Sequence, residues 1–426
     1  MTGVPLKHNI ARIRIFKVLI VALLLVLTTY QCKEKGTEPT FDDRANEILL
    51  DWYNLYIQLE RVNKNAIPPY AARNMAQVSL GVYEVVQEHK HLFKAQSPQA
   101  LRLLNHAFYL SMNTIYDRKV IGSAASWING LYQVTNRKLH TKAYYNDQYV
   151  MHILGEHVVV FRRDTLDTDT MTLLPGYKLE SRFTFSDHKG MLPDFGKNKT
   201  VAIDKRSIRV DPPYIRAANF EKALYDDALS VYIQSKKLTY EDIRISDFWS
   251  DETLGLTFSP VGRWVSIANQ TLASEYIPFM QALKMYRDLG VAMYDASVLS
   301  WYYKYRYNLM RPFQFIRAHI DTTWQSRYKP DYPSYPSAHS VISGTAGTVL
   351  EHYFKQSNRR IDDSHFKSIA FYSERRDYGS FEEMYKECAY SRFLAGVHYL
   401  NDCEAGLNLG ITVAKAVIRR DEYNGK

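Results

Sequence analysis

The sequence predicts a mostly α-helical protein, with a helical N-terminal half, a helical C-terminal half and a long irregular crossover between them. Three observations carry this prediction. Apolar residues recur at three- and four-residue spacing through residues 41–142, and the same period resumes at Ala217 and runs to the end. Between about 160 and 216 the period is lost among Pro175-Gly176, Gly190, Pro193-Asp194, Gly196 and Pro212-Pro213.

The first thirty-two residues read as a targeting segment rather than as part of the fold. Lys7, Arg12, Arg14 and Lys17 precede the apolar run Val18 to Leu27, which is too short to cross a bilayer comfortably and suits a signal-peptide core. Cys32 follows, and the segment resembles a bacterial lipoprotein signal in which this cysteine is lipidated. Residues 33–44 then form a polar tether. The expectation is an exported lipoprotein touching the membrane only through its N-terminal anchor.

Residues 45–216 are expected to form the first domain. Ile48, Leu49, Trp52, Leu55, Tyr56 and Leu59 mark one helix face. Pro68-Pro69 opens a second helix, where Ala71, Ala72, Met75, Val78, Val82 and Val85 share a face. Helical patterning continues over 98–142. The crossover of about 160–216 has room for short strand pieces such as Val158–Phe161, and a loop of this length inside a compact domain is often functional. Residues 217–426 are expected to form the second, chemistry-bearing helical domain, with interruptions near 254–262, 321–338 and 356–380.

Net charge is +9, yet Lys and Arg are spread along the chain with no basic stripe and no recognisable nucleic-acid module. Diffuse basicity suits acidic small molecules better than nucleic acid. Beyond Cys32 only Cys388 and Cys403 remain, without metal-ligand spacing. On one helix, fifteen positions would hold the sulfurs about 22 Å apart, too far to bridge. Both read as small buried hydrophobes.

Three motifs in the last third carry the chemistry: Lys304-x6-Arg311-Pro312, Pro336-Ser337-Ala338-His339, and Ser391-Arg392-x5-His398-x3-Asp402. Lys304 and Arg311, seven apart, share an azimuth on a helix and can lean into one cavity from a single element. Taken alone, they read rather as a solvated basic face, since surface Lys and Arg are the norm. The run Pro333 to His339 reads as a rigid turn feeding a helix from Ser340 to Phe354. Its N-terminal N–H groups make an oxyanion site for which Ser337 and the Ala338 amide are donors, although Ser337 could also be a simple N-cap. His339, at a helix N-terminus among cations, should be neutral near pH 7 and able to act as a base. Arg392 and His398 would lie about 240° apart on a continuous helix, so convergence requires a break, and Gly396 is well placed for it. Asp402 can accept from one nitrogen of His398 and fix its tautomer. Three cations, a hydroxyl, an amide and two imidazoles suit a tetrahedral or trigonal-bipyramidal oxyanion such as phosphate or vanadate.

These motifs resemble the signature shared by vanadium-dependent haloperoxidases and type-2 phosphatidic acid phosphatases. Trp301, the run Asp247-Phe248-Trp249-Ser250-Asp251 with Pro260 and Trp264, and Pro68-Pro69-Tyr70-Ala71-Ala72-Arg73 are similar to the soluble haloperoxidase branch. The resemblance implies an all-α fold of two helical bundles and a vanadate cofactor. Lys304, Arg311 and Arg392 would neutralise the vanadate oxygens, with Ser337 and the Ala338 amide adding hydrogen bonds. His398 would bond to vanadium, and His339 would act as acid–base. Asp251 would orient Arg392. Tyr332 stands where these enzymes vary between Phe and His, and Ala338 where they carry Gly. The implied substrates are hydrogen peroxide, iodide or bromide, and an organic acceptor, and the family is compatible with an oligomer. Two alternatives use the same residues: an acid phosphatase cleaving phosphate monoesters through a phosphohistidine, with no cofactor, and an oxyanion-binding surface lipoprotein without turnover.

Overall fold

The computed structural model describes residues 38–63, 67–116, 122–140, 147–162, 183, 190–251, 257, 259–354, 359–362 and 375–420. The signal segment, Cys32 and residues 33–37 of the tether lie outside them, and residues 41–44, expected as tether, already belong to the first helix. Six helices occupy the first part: α1 (Phe41–Val62), α2 (Pro68–Glu88), α3 (Lys90–Lys94), α4 (Pro98–Ile115), α5 (Ala124–Leu139) and α6 (Asp147–Arg162). Eight follow: α7 (Phe220–Ser235), α8 (Tyr240–Phe248), α9 (Pro260–Ser274), α10 (Phe279–Tyr307), α11 (Pro312–His319), α12 (Ala338–Tyr353), α13 (Phe381–Leu394) and α14 (Leu400–Ile418). The all-α expectation holds, with one addition. Strands β1 (Arg359–Asp362) and β2 (Arg375–Tyr378) pair antiparallel where only an interruption was expected. The strand piece expected at Val158–Phe161 is instead the last part of α6, because a four-residue branched run is too short to override the helix begun at Asp147.

Helix α10 is the axis of the fold. It has 29 residues, and from Ala282 through Trp301 all but Lys284 are buried, so its polar side chains must find partners inside the protein: Arg287 pairs with Asp288, and Asp295 binds the crossover. Helix α2 of the expected first domain packs on one side of it, and α12 and α14 pack on others. Helices α12 and α14 cross so closely that a Cβ on Gly410 would lie 2.2 Å from the Val341 carbonyl oxygen. From Asp42 onward the chain forms one compact unit. Among the described residues, no helix is long and apolar enough to cross a membrane.

The described part of the crossover, 190–216, contains only two short 3-10 turns, Phe195–Lys197 and Lys205–Ser207. Irregular backbone must still satisfy its polar groups, and α10 supplies the partners. The buried Asp295 carboxylate accepts from the N–H groups of Val201, Ala202 and Ile203 at 2.7, 2.8 and 3.2 Å. Phenols donate to its carbonyls: Tyr294 to Lys199, Tyr303 to Ile208, Tyr305 to Met191, Tyr307 to Val210, and, from the turn before α12, Tyr335 to Asp211. This gives part of the tyrosine excess, 33 Tyr against 19 Phe, a structural use.

Candidate active site

The three motifs meet where α10 ends and α12 and α14 begin. Lys304, Arg311 and Arg392 are fully buried, and His339 and His398 are 3% and 2% exposed. Lys304 and Arg311 do not share a helix as expected. Helix α10 stops at Tyr307, closed by Asn308 in the left-handed region (φ 48°), and Arg311 is the extended residue immediately before α11. They converge all the same, because the Tyr332 ring lies against both: Lys304 Nζ is 5.2 Å and Arg311 Cζ 4.6 Å from its centroid. Trp301 packs against Tyr332, 5.4 Å between ring centroids, with its indole N–H on the Met191 carbonyl.

Each cation is held by backbone carbonyls. Lys304 Nζ donates to Pro333, Ser334 and Pro336 at 3.0, 2.9 and 2.5 Å, so all three ammonium hydrogens bind the turn before α12. Its contribution to an anion is therefore charge rather than a direct hydrogen bond. Arg311 donates to the carbonyls of Tyr332 (2.8 Å) and Val397 (2.9 Å), and Arg392 to that of Trp249 (2.8 Å). Asp251, expected to orient Arg392, is gripped by Arg263, whose Nε and Nη2 lie 3.1 and 2.9 Å from Oδ1. That pairing follows from α9, which begins at Pro260 and brings Arg263 back over Asp251 within twelve residues.

The break required between Arg392 and His398 is present. Helix α13 ends at Leu394, Gly396 takes φ +70°, and α14 starts at Leu400. A side chain is rarely tolerated in that conformation, and a Cβ there would also meet the Trp324 ring at 2.9 Å. His398 Nδ1 lies 3.1 Å from Asp402 Oδ2, and its Nε2 lies 3.3 Å from Arg311 Nη1. A guanidinium can only donate. His398 is thus protonated on Nδ1, toward the carboxylate, and carries a lone pair on Nε2, toward the cations. Oδ2 of Asp402 also accepts from the Ser334 hydroxyl at 2.5 Å and the Tyr399 N–H at 3.2 Å.

Ser337 is the N-cap of α12, accepting from the Ser340 N–H at 3.5 Å, and its own hydroxyl hydrogen remains to donate. The Ala338 N–H is among the first helical amides, which have no acceptor within the helix. Burial pushes the pKa of His339 well below the usual imidazole value, and Arg392, Arg311 and Lys304 lower it further. For His398 burial again acts first, followed by Arg311, Lys304, His339 and Arg392. Both rings are therefore neutral at neutral pH, and both feel the same three cations. Burial lifts Asp402 to about 7 against the opposing Ser334 hydrogen bond and the Lys304 charge. Cys388 and Cys403 are buried, unbridged thiols on α13 and α14. Ser334 was missed as a site residue, since its sequence context reads only as a turn.

Residues 284–424 match the VCPO second helical-bundle domain. That stretch is 141 of the 426 residues, a third of the chain. A vanadium chloroperoxidase from Curvularia inaequalis is 24% identical over 196 residues, 38% of this chain and 32% of that relative, so the match spans about a third of the relative. In fold, the chain is similar to a bacterial vanadium-dependent iodoperoxidase (TM-score 0.71, 22% identity, 92% of this chain and 100% of that one). It is also similar to a bacterial vanadium-dependent chloroperoxidase in its apo form (TM-score 0.62, 12% identity, 83% and 93%). The matched stretch, 284–424, contains all three motifs.

Proposed function

We propose that this chain is a vanadium-dependent haloperoxidase that oxidises iodide or bromide with hydrogen peroxide, giving hypohalous acid for transfer to an organic acceptor. The supporting observation is His398: its Nδ1 is held by Asp402, and its unprotonated Nε2 faces Arg311, one of three buried cations whose charge acts on the ring. A neutral nitrogen ligand facing a positive field suits an oxyanion able to accept a nitrogen donor, which vanadate does. The residues present therefore fit the cofactor. Bound vanadate would supply a Lewis-acid centre that activates peroxide without a change of oxidation state.

In this reading His398 Nε2 would hold the vanadium, and Asp402 keeps that nitrogen unprotonated. Arg311 and Arg392 set the positive field, with Lys304 contributing charge from its carbonyl cradle. Ser337 and the Ala338 amide offer the donors at the start of α12. His339, neutral and buried, takes and returns a proton at its ring nitrogen. The overall reaction consumes one proton: halide gives two electrons to the O–O bond, and peroxide plus halide plus a proton becomes hypohalous acid plus water. Export and lipidation at Cys32 belong to the same proposal.

The test is to give the purified protein vanadate, peroxide and iodide with a halide-dependent dye. Vanadate-dependent oxidation is expected. Silence with iodide and bromide, accompanied by phosphate-ester cleavage that vanadate inhibits, would replace this reading with the phosphatase one.

A further inference from the structure

We propose that Ser334 is a positioning residue that couples the lysine and histidine halves of the site, its hydroxyl fixing the Asp402 carboxylate against His398 while its carbonyl anchors Lys304. Ser334 is fully buried and every polar group it carries is engaged. Its N–H donates to the Leu309 carbonyl at 2.9 Å, which ties it to the segment leading into Arg311. Its carbonyl accepts from Lys304 Nζ at 2.9 Å. Its hydroxyl donates to Asp402 Oδ2 at 2.5 Å and lies 3.4 Å from His398 Nδ1.

Two features separate this from a buried serine that merely finds a partner. First, its bond ends on the same carboxylate oxygen that receives the His398 Nδ1 hydrogen, so the serine selects the carboxylate rotamer presented to the ring. Second, its backbone is held on both sides by site elements, so the point from which the hydroxyl projects is fixed relative to Lys304 and the Arg311 segment. Without the hydroxyl, the carboxylate oxygen keeps only the Tyr399 N–H beside the ring, the Nδ1 hydrogen meets a less firmly fixed acceptor, and the tautomer with its hydrogen on Nε2 is opposed chiefly by the Arg311 guanidinium. That tautomer has no lone pair to offer vanadium. Outer partners that orient a metal-binding histidine in this way typically alter affinity by about 10–100-fold.

The vanadate part of the inference rests on the haloperoxidase reading, and the tautomer part does not. The experiment compares wild type, Ser334→Ala and Ser334→Thr, each labelled with heavy nitrogen in its histidines, with the His398 signals identified by their loss in His398→Gln. Without vanadate at neutral pH, wild type and Ser334→Thr should show Nδ1 protonated and Nε2 bare. Ser334→Ala should move both His398 shifts toward the average of two exchanging tautomers. Equilibrium dialysis should then show vanadate bound about tenfold more weakly by Ser334→Ala, with recovery in Ser334→Thr. Unchanged His398 shifts in Ser334→Ala would overturn the proposal. A wild type that binds no vanadate would overturn the haloperoxidase reading alone, leaving the shifts to decide the role of Ser334.

Discussion

His398 and Asp402 bracket the start of one helix: the histidine lies in the turn before α14, the aspartate in its first turn, and the Nδ1–Oδ2 distance is 3.1 Å. The carboxylate thus serves the helix end and the ring together, since the same oxygen accepts the Tyr399 N–H. Asp402→Asn should keep the fold and weaken vanadate binding by about 10–100-fold, as loss of an orienting partner does. Equilibrium dialysis with thermal unfolding as a control checks this. Affinity within about twofold of wild type would remove Asp402 from the orienting role.

His339→Ala separates binding from turnover. Its ring is neutral among cations and is proposed to move a proton rather than to hold the cofactor. Peroxide-dependent iodide oxidation should fall by about 100-fold or more, in the range of acid–base contributions, while vanadate affinity changes far less. Dialysis and steady-state kinetics on one preparation decide it.

Lys304 has a scaffold role that its charge alone does not reveal. Lys304→Met removes the donor from three buried carbonyls, and each orphaned group costs about 1–3 kcal/mol. The variant should lose on the order of 3 kcal/mol or more in denaturant unfolding, along with oxyanion binding. Full stability with lost binding would show that charge is its whole contribution.

Glu60 makes a pH prediction away from the site. Burial lifts its carboxyl to about 7 from an ordinary 4.5, although Ser259 donates to it. In the window between those values the folded state holds a proton that the unfolded state has released. Its contribution is therefore complete below about 4.5 and lost as pH rises through about 7. Glu60→Gln removes that dependence. Relative to wild type, the variant should gain stability as pH rises from 5 to 8, on the order of 3 kcal/mol at the upper end. Melting curves across this range that run parallel for the two proteins would contradict it.

Gly410→Ala tests the packing beneath the site. The added Cβ would sit 2.2 Å from the Val341 carbonyl and 2.8 Å from the Thr345 nitrogen, both backbone atoms of α12. Helices α12 and α14 would have to separate, a cost of about 1–3 kcal/mol or more, and with them His339 and Asp402. Both Tm and iodide oxidation should fall.

Much of the site was legible because its chemistry is carried by short local patterns. Ser337 to His339 opens a helix, and the spacing from Arg392 to His398 demanded a break that Gly396 provides. The end of α10 was not legible, because the step from Tyr307 to Asn308 carries no Pro or Gly and depends on asparagine tolerating a left-handed conformation. The Asp251–Arg263 pairing and the Lys304 carbonyl cradle were also hidden, since both depend on where loops return in space. The β1–β2 ribbon, four residues a side and rich in arginine, is too short for an alternating pattern to stand out.

The phenols of α10 that hold the crossover grasp peptide oxygens, and every amino acid offers one. Exposed side chains along 191–211 can therefore change without loosening the strap, so long as the tyrosines beneath it remain, whereas Gly196, where a Cβ would lie 2.3 Å from the Tyr302 backbone nitrogen, cannot. Ancestry should accordingly be easier to trace through the axial helix than through the segment laid over it, and the family match indeed begins inside α10, at residue 284.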